Sequence, residues 1–137
     1  MASLAGAAGS LDNTPAASLR ETLFADAEAL LSPSESVGSL AVRRAGSGPD
    51  LVLVHGGVGS WTHWIANVGE LTRSFTLHLV DLPGFGAAPD APRQADDYMD
   101  AVVEGIAALT NDPFGIAAFS FGAAVAASAA IRLGNRV

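Results

Sequence analysis

The sequence predicts an α/β fold, with a mostly parallel sheet and flanking helices. Three short apolar segments, at 51–54, 75–80 and 114–119, end at turn-forming or polar residues and predict strands. Segments with helical periodicity lie between these strands and after the last one. Strands that alternate with helices are typical of a parallel sheet, because two parallel strands need a long crossover connection.

The first elements precede these three strands. Residues 1–17 are rich in Ala, Gly and Ser and predict a flexible leader. An amphipathic helix is predicted over 18–32, where Ser18 and Glu21 have the spacing of a capping box. We therefore divide the chain into a leader and short helix at 1–35 and a core at 36–137.

The core begins with an alternating segment at 37–46, which predicts a strand. The apolar stretch "LVLV" at 51–54 suits a strand buried on both faces. Further helices are predicted near 61–73, over 95–112 and after Ser120, and the last of them ends at a glycine. A Pro- and Gly-rich loop is predicted at 82–92.

Composition excludes several classes of protein. The 137 residues are 50% hydrophobic and 15% charged, which predicts one globular core. Fourteen carboxylates against seven arginines give a net charge of −7, so we expect no nucleic-acid partner. There is no cysteine, which excludes disulfides and thiolate chemistry. No signal peptide or membrane-spanning segment is recognisable, and we expect a cytoplasmic protein with no membrane partner.

A single serine interrupts the apolar stretch "AAFSFGAAVA" at 117–126. Ser120 follows a predicted strand and precedes a predicted helix, which is the arrangement of a nucleophile elbow. The tight turn of an elbow needs small residues two positions to either side, and here they are Ala118 and Gly122. Taken alone, the same residues also fit a serine that caps a helix.

Two upstream motifs favour the elbow. "LVLVHGGVGSWTHW" at 51–64 and "LVDLPGFG" at 79–86 precede "AFSFG" at 118–122. In this order the three motifs resemble the α/β-hydrolase superfamily, in particular its bacterial single-domain members. The resemblance covers about 36–137 and implies the N-terminal half of an α/β-hydrolase fold.

The resemblance also implies roles for individual residues. Ser120 would be the nucleophile, and the backbone N–H groups of Gly57 and Phe121 would form the oxyanion hole. His55, next to Gly56, would orient the oxyanion loop. 

Two further residues support this site by resemblance. Gly122 would allow the tight turn after the serine. Asp81 could act as an acid, but the family pattern favours a carboxylate that holds the Gly-rich loop through backbone N–H groups. His63, near Trp61 and Trp64, would pack beneath the oxyanion loop, and His78 would be a core or helix-facing residue.

The function implied is that of a serine hydrolase acting on an ester, a thioester or an activated carbon–carbon bond of a small carbonyl substrate. No cofactor is implied, and no His or carboxylate pair has a metal-ligand spacing. In the family the acid and the histidine of the triad follow the serine in the chain. Because this sequence ends at Val137, we expect it to be cut short before both residues.

Two other functions are considered. A catalytically inactive, hydrolase-like fragment could bind a partner or itself, because the strand before Ser120 would leave an exposed sheet edge. A dinucleotide-binding module would use the Gly-rich turn after 51–54, with Asp81 as the acidic residue. Its G-x-G-x-x-G pattern, however, begins at Gly57 and Gly59 and meets Thr62 where the third glycine is needed.

Overall fold

The computed structural model describes residues 16–137, with side chains from residue 18 onward. The predicted leader lies outside the described residues except for positions 16 and 17, which belong to the first helix. The strands are β1 (Glu35–Val37), β2 (Leu40–Gly46), β3 (Asp50–Val54), β4 (Thr76–Asp81) and β5 (Phe114–Ala118). The helices are α1 (Ala16–Leu30), α2 (Val68–Leu71), α3 (Ala95–Ala107) and α4 (Phe121–Leu133), with 3-10 turns at Trp61–Trp64 and Gly134–Arg136.

The five strands form one sheet in the order β1-β2-β4-β3-β5. β3 is parallel to both β4 and β5, whereas β2 is antiparallel to both β1 and β4. The predicted α/β class with flanking helices is confirmed, and the parallel strands are those that the apolar segments predicted. The carboxyl ends of β4, β3 and β5 therefore lie side by side at one edge of the sheet.

Helices cover both faces of the sheet, because alternate side chains of each strand point to opposite faces. Val52 and Val54 pack with α3 and α4, whereas Leu53 packs with the 3-10 turn, α1 and α2. The first core contains Leu40, Val42, Val80, Leu82, Val102, Ile106 and Val125, and the second contains Ala27, Trp61, Val68, Leu77 and Leu79.

Some predicted elements differ from the structure. The strand predicted at 37–46 is two strands joined by a tight turn, because Gly38 adopts a φ of 57° and reverses the chain. The helix predicted near 61–73 is only a 3-10 turn followed by the short α2. Asn67 lies between these two elements and Gly69 lies within α2, and asparagine and glycine are both weak helix formers.

Two helix ends also differ. α1 already includes Ser18, whose carbonyl accepts a hydrogen bond from the Thr22 hydroxyl at 2.9 Å, so the predicted capping box is wrong. α3 ends at Ala107, five residues before the predicted end at 112. The residues after it include Thr110, Asn111 and Asp112, which favour turns over helix.

β5 is an edge strand in the part of the chain that the structure describes. It pairs with β3 on one side and with no described strand on the other. None of the described helices combines the length and the apolar character needed to cross a membrane.

Candidate active site

Ser120 lies two residues after the end of β5, at the carboxyl edge of the sheet, and is exposed. Its backbone has a φ of 54° and a ψ of −120°, which are angles that L-residues rarely adopt. The Gly122 N–H donates to the Phe119 carbonyl at 2.9 Å and closes a tight turn of the II′ type around the serine. The chain therefore makes a sharp, strained turn that presents the Ser120 side chain above the sheet.

Gly122 lets this turn approach the end of β3. A Cβ at this position would lie 2.6 Å from the Val54 carbonyl oxygen and closer still to the His55 carbonyl oxygen. The Phe119 N–H donates to the same Val54 oxygen at 3.1 Å. The turn after β5 is thus held against the backbone that follows β3.

The Gly-rich segment after β3 lies beside the same turn. A Cβ on Gly57 would be 3.8 Å from the Cβ of Phe121, and a Cβ on Gly56 would be 2.8 Å from the Phe119 ring. Within residues 16–137, neither the Gly57 N–H nor the Phe121 N–H donates to a backbone oxygen. The structure therefore brings together both residues that sequence analysis assigned to the oxyanion hole.

His55 is completely buried and joins the loops that follow β3 and β4. Its Nδ1 donates to the Gly56 carbonyl at 2.6 Å, and its Nε2 accepts from the Leu82 N–H at 3.0 Å. Burial lowers the pKa of His55 below its ordinary value, so the ring is neutral near pH 7. Both ring nitrogens are engaged, and neither is available to take a proton from Ser120.

Asp81 is buried at the end of β4, where its carboxylate holds two loops. One oxygen accepts from the Trp61 N–H at 2.7 Å, and the other accepts from the Ala87 N–H at 3.0 Å. Gly86, with a φ of 50°, packs directly on the carboxylate. Because both oxygens accept from backbone N–H groups, this geometry favours a structural carboxylate over an acid catalyst.

His63 makes a contact that the sequence did not reveal. Its Nδ1 accepts from the Gly56 N–H at 3.2 Å, and its ring meets the Phe119 ring edge to face at 5.7 Å. His63 therefore touches both the oxyanion loop and the turn at Ser120, which is more than packing beneath the loop. Only the tertiary structure shows this, because the chain between Gly56 and His63 is an irregular loop and a 3-10 turn, in which no helix or strand period applies.

His78 is buried at the other end of the parallel strands, where β3 begins. Its Nε2 donates to Asp50 at 2.7 Å, and its Nδ1 accepts from the Arg44 Nε at 3.0 Å. The hydrogen bond from His78 is the main cause that lowers the pKa of Asp50, and the Thr110 hydroxyl adds another at 2.8 Å. This network lies at the opposite edge of the sheet from Ser120 and joins β2, β3 and β4 through side-chain hydrogen bonds.

In residues 16–137, no three His, Asp or Glu side chains are grouped so that they could hold a metal ion. The Gly-rich loop also lacks the helix that a dinucleotide site requires, since only a 3-10 turn of four residues follows it. The chemistry that this edge of the sheet can support is attack by a serine beside two backbone N–H donors.

Comparison with known proteins assigns the class. Residues 51–137 match the model of the "Alpha/beta hydrolase family", so the chain belongs to that family. The matched residues run from the first apolar strand of the parallel sheet to the end of the chain. They include the Gly-rich loop, Asp81 and the turn at Ser120.

Two relatives and one solved structure show which members of the family this chain is similar to. A pimeloyl-[acyl-carrier protein] methyl ester esterase of Nitrosomonas europaea is 36% identical over 101 residues, which are 74% of this chain and 39% of the relative. The esterase of the same name from Aeromonas salmonicida is 37% identical over 100 residues, 72% of this chain and 39% of its own. A bacterial membrane phospholipase A superposes with a TM-score of 0.69 at 29% identity, over 88% of this chain and 42% of that one. The chain thus spans about two fifths of the length of the relatives it matches.

Proposed function

We propose that this chain carries the nucleophile and the oxyanion hole of an esterase-type serine hydrolase. One observation carries the proposal: Ser120 stands in a strained turn, at a φ of 54° and a ψ of −120°, with Gly57 packed against Phe121 beside it. A strained turn from strand to helix is what exposes the nucleophile in this family.

The proposed reaction starts when the Ser120 oxygen attacks the carbonyl carbon of an ester. The carbonyl oxygen then gains negative charge, which the N–H groups of Gly57 and Phe121 would stabilise without reorganising. Loss of one such donor typically costs about 2.7–4 kcal/mol of transition-state stabilisation. Departure of the alcohol leaves an acyl-serine, which water hydrolyses to the acid.

The attack requires a general base, because a serine hydroxyl is a weak nucleophile near neutral pH. His55 and His78 both have their ring nitrogens engaged in hydrogen bonds within the fold. His63 accepts from the Gly56 N–H through Nδ1, so its neutral ring carries a proton on Nε2 and has no second nitrogen to accept one. We propose that the histidine and the acid of the triad come from outside these 137 residues, which is supported by the greater length of the relatives. The 137 residues alone would then be a poor catalyst.

A carboxylic ester is the substrate class that we favour over a thioester or an activated carbon–carbon bond. The similar proteins are named as methyl ester esterases, and their sequences align with this chain over 72–74% of its length. 

The test compares two serines that are eight positions apart. Ser120→Ala in the complete protein should lower kcat/KM for a short-chain p-nitrophenyl ester by about a thousandfold or more. Ser128→Ala, in the middle of α4, is the matched control and should leave the rate unchanged. Equal rates for Ser120→Ala and the native protein would overturn the proposal.

A second function, self-association of this chain, is supported by the edge strand β5. Its outer side pairs with no described strand, and Phe119, the residue that follows it, is 59% exposed. Unpaired strand edges and apolar surface favour association. Sedimentation equilibrium should therefore show an average mass that rises with concentration, and a constant monomer mass would contradict this function.

A further inference from the structure

Gly56 comes directly before the proposed oxyanion donor Gly57, and two histidines hold its backbone. The Nδ1 of His63 accepts from the Gly56 N–H at 3.2 Å, and the Nδ1 of His55 donates to the Gly56 carbonyl at 2.6 Å. Glycine has the widest choice of φ and ψ, so its own backbone sets no direction for the peptide groups on either side. Side-chain hydrogen bonds therefore fix both peptide groups of Gly56.

These two hydrogen bonds determine where the Gly57 N–H points. The Gly56 carbonyl and the Gly57 N–H belong to one planar trans peptide, in which they point in opposite directions. His55 holds that carbonyl, and His63 holds the N–H on the other side of the Gly56 Cα. The Gly57 N–H therefore takes its direction from both imidazoles.

The two histidines need opposite tautomers for these contacts. The Nε2 of His55 accepts from the Leu82 N–H at 3.0 Å, so the proton of this ring is on Nδ1. His63 accepts through Nδ1, so the proton of its neutral ring is on Nε2. The single nitrogen of His63 that could take a proton is thus already bound to the loop.

His63 also contacts the turn that carries the nucleophile. Its ring meets the Phe119 ring edge to face, at 5.7 Å between centroids. A Cβ on Gly56 would lie 2.8 Å from the same Phe119 ring. His63, Gly56 and Phe119 therefore pack around one another. This packing joins the loop that carries the Gly57 N–H to the turn that carries the Phe121 N–H.

The space that the His63 ring occupies depends on Gly59. A Cβ on Gly59 would overlap the Cε1 and Nε2 atoms of His63. The φ of Gly59 lies outside the left-handed region, so this close approach, and not the backbone conformation, is what requires glycine. Because His63 is exposed, a side chain at position 59 would push the ring toward solvent without disturbing the core.

We propose that His63 is a positioning residue, which sets the direction of the Gly57 N–H and its distance from the Phe121 N–H. The inference rests on the proposed function and adds one residue to it. His63 acts on the transition state only through the two oxyanion donors, and it neither takes nor gives a proton in this role.

The hydrogen bond is tested by NMR on the isotope-labelled full chain. A scalar coupling between the Gly56 nitrogen and the His63 Nδ1 should be present, and the residual dipolar coupling of the Gly57 N–H reports the direction of that bond. His63→Asn keeps an acceptor, because its amide oxygen is as many bonds from Cα as Nδ1 is, whereas His63→Phe keeps a ring and loses the acceptor. The dipolar coupling should change in His63→Phe and stay near the native value in His63→Asn.

The effect on the reaction is tested in the complete protein with a short-chain p-nitrophenyl ester. In His63→Phe, kcat should fall by about tenfold to a hundredfold while KM stays within about twofold, because oxyanion donors act on the transition state. His63→Asn should recover most of this loss, which a general loss of packing would not allow.

A pair of glycines supplies a test that leaves the imidazole itself unchanged. Gly59→Ala displaces the His63 ring and should lower kcat and alter the Gly57 dipolar coupling as His63→Phe does. Gly69→Ala, in α2, is the matched control, because its Cβ would meet nothing within 4 Å. This variant should leave both kcat and the dipolar coupling unchanged.

Three results would overturn the inference: no scalar coupling between Gly56 and His63 in the native chain, a Gly57 dipolar coupling unaffected by His63→Phe, or a kcat in His63→Asn as low as in His63→Phe. Failure of the proposed function looks different, because it appears as ester turnover that survives Ser120→Ala. Turnover that depends on Ser120 but not on the acceptor at position 63 would refute only the role of His63.

Discussion

Replacement of Ser120 by glycine should make the protein more stable while it removes the nucleophile. The φ of 54° and ψ of −120° at Ser120 belong to a turn position that favours glycine. A residue held at such angles costs about 1–3 kcal/mol. Glycine avoids this cost but adds about 0.4–1 kcal/mol of chain entropy to the unfolded state. The expected net gain in free energy of unfolding is therefore about 1 kcal/mol.

Urea denaturation followed by circular dichroism measures this difference directly. Ser120→Gly should raise the midpoint at an unchanged m-value, and its thermal midpoint should rise by about 4 °C. Ser120→Ala keeps the strained φ and should show no comparable gain.

Ser128→Gly supplies the matched control, because it makes the same chemical change in the middle of α4. Glycine in a helix interior is less favourable than serine, so this variant should lose about 0.5 kcal/mol. If Ser120→Gly lowered stability to the same extent as Ser128→Gly, the turn at Ser120 would carry no strain and the reasoning would fail.

Three further predictions concern the residues around the turn. Gly122→Ala should cost more than about 3 kcal/mol in unfolding free energy, because its Cβ would overlap carbonyl oxygens at the end of β3, whereas Gly115→Ala, on β5, should stay within about 1 kcal/mol. Asp81→Asn should cost about 2 kcal/mol by urea titration, because an amide cannot accept both backbone hydrogen bonds, and exposed Asp112→Asn should change little. Stability should fall as the pH drops below about 6.5, because the unfolded state then protonates His55 while burial keeps the folded pKa lower, and His55→Gln should lack this part of the slope.

The elements that the sequence predicted well are those with a local signal. The stretch at 51–54 and the segment before Ser120 are short apolar runs flanked by turn residues, and both are strands in the structure. The position of Ser120 between a strand and a helix was also predictable, because a short apolar segment precedes it and a longer segment that ends at a glycine follows it. Its strained φ follows from the tight turn that the small residues on either side permit.

The contacts that organise the candidate site could not be predicted from periodicity. His55 accepts its hydrogen bond from Leu82, and Asp81 accepts one from Trp61, across 27 and 20 positions of sequence. The aspartate was expected to hold a loop, but sequence alone did not show that it holds two. The contact between His63 and Gly56 depends on where the 3-10 turn folds back. The helix predicted there was wrong, because weak helix formers follow His63.

Two buried side chains near Ser120 have one feature in common: each lies at or just after the end of one strand and binds backbone that follows another strand. His55 joins the loop after β3 to the loop after β4, and Asp81 joins the end of β4 to both loops in turn. The Val54 carbonyl binds the turn after β5. The positions of the two proposed oxyanion donors are therefore fixed by contacts within residues 54–122. It follows that the geometry of the proposed oxyanion hole depends on this part of the chain, whereas the rate of the proposed reaction depends on the base that reaches Ser120.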